Sequence, residues 1–137
     1  MLSSSRFAVA IHALSVLAKH FGKGPVCSSF VATSVNTNPV VIRRLMSELE
    51  RAQLVSSAAG RSGGFALGRP PERISLADIY KAVEGGGIFK MHKIDPHSDC
   101  PIASMIGKII STPLQEAEVA LERSLASTSL RDVAQQL

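Results

Sequence analysis

Apolar residues recur every three to four positions over most of this chain and alternate over two short runs near its middle. The pattern predicts a mainly α fold with one small β-hairpin. Within 28–53, Ile42, Leu45, Met46 and Leu49 make one apolar stripe, while Val40, Arg43, Arg44 and Ser47 follow the same period on a different face. Asn38 offers an N-cap oxygen, and Pro39 falls at the first helical position, where its missing N–H costs nothing. That helix is expected to start sharply. A shorter helix capped by Ser28 or Ser29 precedes it, with Phe30, Val31 and Val35 directed at the first helix, and the polar turn Asn36-Thr37-Asn38 joins the two.

Upstream, Ser3 to Phe21 reads as a helix with serines as candidate caps and with Phe7, Ile11, Leu14, Ala18 and Phe21 along one face; Gly22, Gly24 and Pro25 end it. Downstream, Leu54–Ser57 and Phe65–Leu67 are short extended runs on either side of a glycine-rich tip, Ala58 to Gly64, the signature of a hairpin with a longer loop. Residues 69–73 read as a stiff linker. Ser75 with Asp78 resembles a capping box for a helix carrying Leu76, Ile79, Tyr80 and Val83, stopped by Gly85-Gly86-Gly87. An irregular stretch, Ile88 to Asp99, leads to Pro101 and a long apolar stripe through Ile102, Met105, Ile106, Ile109, Ile110, Leu114, Ala117, Leu121 and Leu125. Pro113 either kinks that helix or restarts it, and periodicity does not choose between them. Ser129 with Asp132 opens a last short helix through Leu137.

At 137 residues and 45% hydrophobic content, one domain of ordinary size with a real core is expected. The stretch Phe7–Leu17 is too short and too interrupted to span a bilayer, and the start lacks a signal-peptide pattern, so a soluble cytoplasmic protein is expected. Cys27 and Cys100 alone make neither a disulfide framework nor a four-cysteine zinc site. The net charge of +4 is unevenly spread: residues 1–69 hold eight Lys or Arg against two Glu, and residues 70–137 hold seven basic against nine acidic residues. Such asymmetry points to a polyanion-facing first half and a separate role for the second.

Two short helices with a polar turn, the second bearing outward guanidinium groups, form a helix-turn-helix, whose second helix enters a DNA major groove. A hairpin after it makes a wing, with Arg61 at the tip near phosphates or the minor groove. The GRSGG tip lacks the Lys-Ser or Lys-Thr ending and following helix of a nucleotide-cradling loop. No Ser/His/Asp group, carboxylate pair or metal motif sits at a useful spacing, so no enzyme is expected. The long stripe after the winged part would be covered by a twin or by the first helix; a homodimer also suits a palindromic operator in double-stranded DNA.

The segments SSSRFAVAIHALSVLA, PVVIRRLMSELERAQLV, GRSGGFALGRPPERISLADIYKAVEG and CPIASMIGKIISTPLQEAEVALERSLASTSLRDV resemble, in order and spacing over nearly the whole chain, the Rrf2 family of bacterial winged-helix transcription regulators. The resemblance implies a winged helix-turn-helix DNA-binding domain over residues 1–84 and a sensor loop with dimerisation helices over 85–137. It implies groove-facing roles for Asn38, Val40, Arg43, Arg44 and Ser47, the 60–64 tip in the minor groove, and Ser4 and Arg6 near phosphates. Cluster-binding members carry three close cysteines before the dimer helix. Here the loop KMHKIDPHSDCP holds Cys100 alone, which places the chain nearer the cluster-free, YwnA-like branch and implies no cofactor. His92, His97 and Cys100 are too loosely spaced for a convincing metal site. Cys100 at a helix N-terminus is a candidate redox sensor, alone or paired with Cys27. A homodimeric repressor is the leading expectation; a thiol-based sensor through Cys100 and a protein-interaction module without DNA binding are the alternatives.

Overall fold

Asn38 and Pro39 do what their chemistry suggests. In the computed structural model, which describes residues 5–137, the helix α3 runs Pro39–Arg51, and the Asn38 side-chain oxygen accepts from the Val41 backbone N–H at 3.0 Å. Ile42, Leu45, Met46 and Leu49 are all buried. Asn38→Ala removes the only side-chain cap of this helix start and is expected to cost about 1 kcal/mol, read as a lower midpoint in denaturant unfolding with an unchanged slope. An unmoved midpoint would mean that packing alone sets the helix start.

Three helices build the helix-turn-helix unit. The first, α1, spans Arg6–Lys19 and ends before the expected Phe21; the expected start at Ser3 lies outside the described residues, and Ser5 at the N-cap makes no side-chain cap hydrogen bond. Its buried face is Ala10, Ala13, Leu14 and Leu17, rotated from the expected stripe, and Phe21 is exposed beyond the helix end. The small alanines let the other helices come close. α2 spans Ser28–Val35, and its N-cap is Cys27 rather than Ser28 or Ser29. Val31 is buried and Val35 half-buried, but Phe30 is exposed and meets His20 edge-on, with ring centroids 5.4 Å apart. Asn36, left-handed at φ 67°, ends α2 and turns the chain into α3.

The hairpin pairs β1, Val55–Ala58, with β2, Gly64–Leu67, antiparallel, with Val55 opposite Leu67 and Ala58 opposite Gly64. Near its tip the free edge of β2 is pinned by Val26, which exchanges two 2.8 Å backbone hydrogen bonds with Phe65, the residue opposite Ser57. Only glycine fits at 64: a Cβ there would lie 2.2 Å from the Val26 carbonyl oxygen. Within the stiff linker, Pro71–Arg73 form one 3-10 turn.

Beyond the hairpin, α4 (Leu76–Val83) opens with the Ser75/Asp78 capping box, and Tyr80 on it is buried. Residues 88–100 contain no helix or strand. α5 then runs unbroken from Pro101 to Ala126, straight through Pro113, a rod about 39 Å long at 1.5 Å per residue. It lies along α4, where the Tyr80 hydroxyl donates to Glu118 and Lys81 pairs with Glu122 at 3.6 Å. Burial and that hydrogen bond push the phenol pKa upward, so Tyr80 stays a donor. Finally α6, Leu130–Ala134, starts at the Ser129/Asp132 capping box and stops short of Leu137. Leu130 is fully buried in the same core as α1, and its N–H donates to the Ile74 carbonyl at 2.7 Å. The chain therefore leaves the helix-turn-helix unit along α5 and returns to it. Among the described residues no helix is long and apolar enough to cross a membrane.

Candidate nucleic-acid interface

Because the core takes one side of α3, the same helical period turns Val40, Arg43, Arg44 and Ser47 to the opposite side. All four are exposed, Val40 at 54%. Arg51, one turn beyond Ser47, shares that face and is exposed as well. The sequence reading passed over it, although the four-residue step from Ser47 was visible.

The polar bonds around this face show which groups stay available. Arg43 Nη1 donates to the Ser28 hydroxyl at 3.3 Å, and Ser47 uses its hydroxyl proton on the Arg43 carbonyl at 3.0 Å. Asn38 spends its carbonyl oxygen on the cap, which leaves the amide NH2 as its outward group. Arg44 borders a cleft of about 230 Å³ formed with Ser5, Arg6, Val9, Thr37, Val41 and Leu45. Among the described residues, no carboxylate comes within 4 Å of Arg43, Arg44, Arg51 or Arg61. The cationic surface is thus left uncompensated.

Arg6 differs. Its guanidinium is bound to Glu48 on α3 and ties the start of α1 to the reading helix. Ser4 lies outside the described residues. Arg61 stands exposed at the hairpin tip, beside Gly60 at φ 95°. The hairpin is coupled to α3 by Ser57, whose hydroxyl donates to Glu50 at 2.9 Å. The outward face of α3 therefore carries a row of guanidinium groups and an apolar Val40, and the hairpin tied to this helix through Ser57 carries Arg61 at its tip. Such a face matches a phosphate-lined groove with base edges at its floor.

The cysteines sit elsewhere. Cys100 is exposed at the N-cap of α5, and its N–H donates to Ser98 Oγ at 3.2 Å. Cys27 is exposed at the N-cap of α2, where the Ser29 hydroxyl and then the Phe30 N–H hold its thiol below the ordinary range. Among the described residues no three His, Cys, Asp or Glu side chains are grouped to hold a metal.

The family model for Rrf2, described as an iron-dependent transcriptional regulator, matches residues 3–136. YwnA of Bacillus subtilis (strain 168), described as a candidate HTH-type transcriptional regulator, is 39% identical over 131 residues, 95% of each chain. The solved structure of CymR (YrzC), the global cysteine regulator of B. subtilis, superposes with a TM-score of 0.71 at 27% identity, covering 98% of this chain and 97% of that one. The structure of T. potens IscR gives 0.71 at 25% identity, covering 98% and 86%. These relatives are regulators rather than enzymes.

Proposed function

The chain belongs to the Rrf2 family of transcriptional regulators, and from that premise we propose that it is a cytoplasmic homodimer that binds a palindromic operator in double-stranded DNA and represses by occupying it, without an iron–sulfur cluster. The observation that carries this reading is the outward face of α3, where Arg43, Arg44 and Arg51 have no carboxylate partner among the described residues. In this reading residues 1–84 contact DNA and residues 85–137 carry the loop and the pairing helix. Arg61 takes the minor groove or its phosphates, and Arg6 lies toward the backbone.

Pairing is supported by α5, of which no residue is buried within one chain. Ile102 and Ile109 are 70% and 61% exposed, and Met105 lies beside them. Helical spacing continues this stripe over Pro113, Ala117 and Ala120, small side chains that let a second rod approach closely. Absence of a cluster is supported by the donor set: such clusters are held mainly by several thiolates, and the loop before α5 supplies Cys100 alone. The residues present do not fit an iron–sulfur group.

Selection of bound duplexes from a random pool tests the function. Enrichment of an inverted repeat is expected, with half-sites about one helical turn (34–36 Å) or a multiple of it apart. Its affinity should fall steeply with salt as counterions are released. A pool that stays unenriched, with salt-insensitive binding, would leave only a protein-interaction module.

A further inference from the structure

We propose that Ser28, the first residue of α2, is a specificity-determining positioning residue that aims the Arg43 guanidinium into the groove. The inference rests on the DNA-reading function above and deepens that same site. The Arg43 Nη1 to Ser28 Oγ hydrogen bond, 3.3 Å long, joins residues fifteen apart and links the two helices of the motif. An arginine side chain explores many rotamers, and anchoring one nitrogen restricts the plane of the whole fork. With Nη1 turned to α2, Nε and Nη2 remain for the two parallel hydrogen bonds that a guanine accepts.

The identity of the anchor matters. Ser28 is half-buried on a helix fixed by buried Val31 and Ala32, so its hydroxyl is held by the fold rather than by DNA. A carboxylate there would bind the guanidinium as an ion pair and compete with the base. A neutral hydroxyl orients it and lets it donate elsewhere.

The test uses the full-length protein, the duplex obtained by selection with the wild type, and a scrambled duplex of equal length. Affinities are measured for wild type, Ser28→Ala, Arg43→Ala, the double variant and Ser28→Thr. Ser28→Ala should lose roughly three- to tenfold on the selected duplex, below the full worth of a hydrogen bond to a charged group because this one faces solvent, and lose less on the scrambled one. It should relax preference at the same base pair that Arg43→Ala relaxes. The double variant should be no weaker than Arg43→Ala, and Ser28→Thr should restore binding. Should Ser28→Ala melt early, Ser28→Cys, with its weaker acceptor, carries the same comparison.

Losses that multiply in the double variant would overturn the positioning role. Equal loss on both duplexes would make Ser28 a phosphate contact and overturn it too. A wild type that binds no duplex would overturn both this role and the proposed function, whereas wild-type selectivity with multiplicative losses removes Ser28 alone.

Discussion

Ile109→Glu is expected, if the proposed pairing runs through α5, to leave the protein monomeric and to weaken binding to a duplex with two half-sites by about 100-fold or more, because the second half-site is then no longer held at high effective concentration. The side chain projects from α5 and is more exposed than Met105 beside it, so one chain alone loses little when it is changed. In the proposed α5 pairing the same change sets carboxylates against an apolar surface, and each desolvated ion costs several kcal/mol, far more than the ~1.5–3 kcal/mol that a buried isoleucine contributes. Light scattering and fluorescence anisotropy read the two effects, with circular dichroism confirming an intact fold. A variant that stays dimeric at wild-type affinity would place the pairing surface elsewhere.

Arg43→Ala is expected to lose about 10- to 100-fold on the selected duplex, since a bidentate arginine–guanine contact discriminates by ~1–3 kcal/mol. The loss should concentrate on one base pair per half-site. Arg43→Lys should not restore it, because an ammonium cannot present two parallel donors in a fixed plane. Competition against scrambled duplex decides the matter: equal losses on both would demote Arg43 to a phosphate contact and pass the reading role to Arg44 or Arg51.

These two residues differ in how readable they were. Arg43 could be placed on the outward face from spacing alone, since its side is fixed by neighbours three and four residues away. For Ile109 the stripe was legible, but periodicity could not say how much of it one chain covers. Leu130 makes the point more sharply: spacing shows a last short helix without saying where it packs, and the fold sets Leu130 in the core with α1. Phe30 failed in the opposite direction, apolar in sequence but left outside beside His20.

By itself the sequence determined the sharp start of α3, its two faces, the hairpin with Arg61 at the tip, and the capping boxes at Ser75 and Ser129. Each depends on interactions within one turn or across one short loop, where spacing is geometry. Tertiary structure alone decided that α5 passes unbroken through Pro113, that Cys27 caps α2, and that Arg6 meets Glu48 while Arg43 meets Ser28. Those outcomes depend on surfaces brought together from distant parts of the chain, and no local repeat records which distant partner a side chain will find.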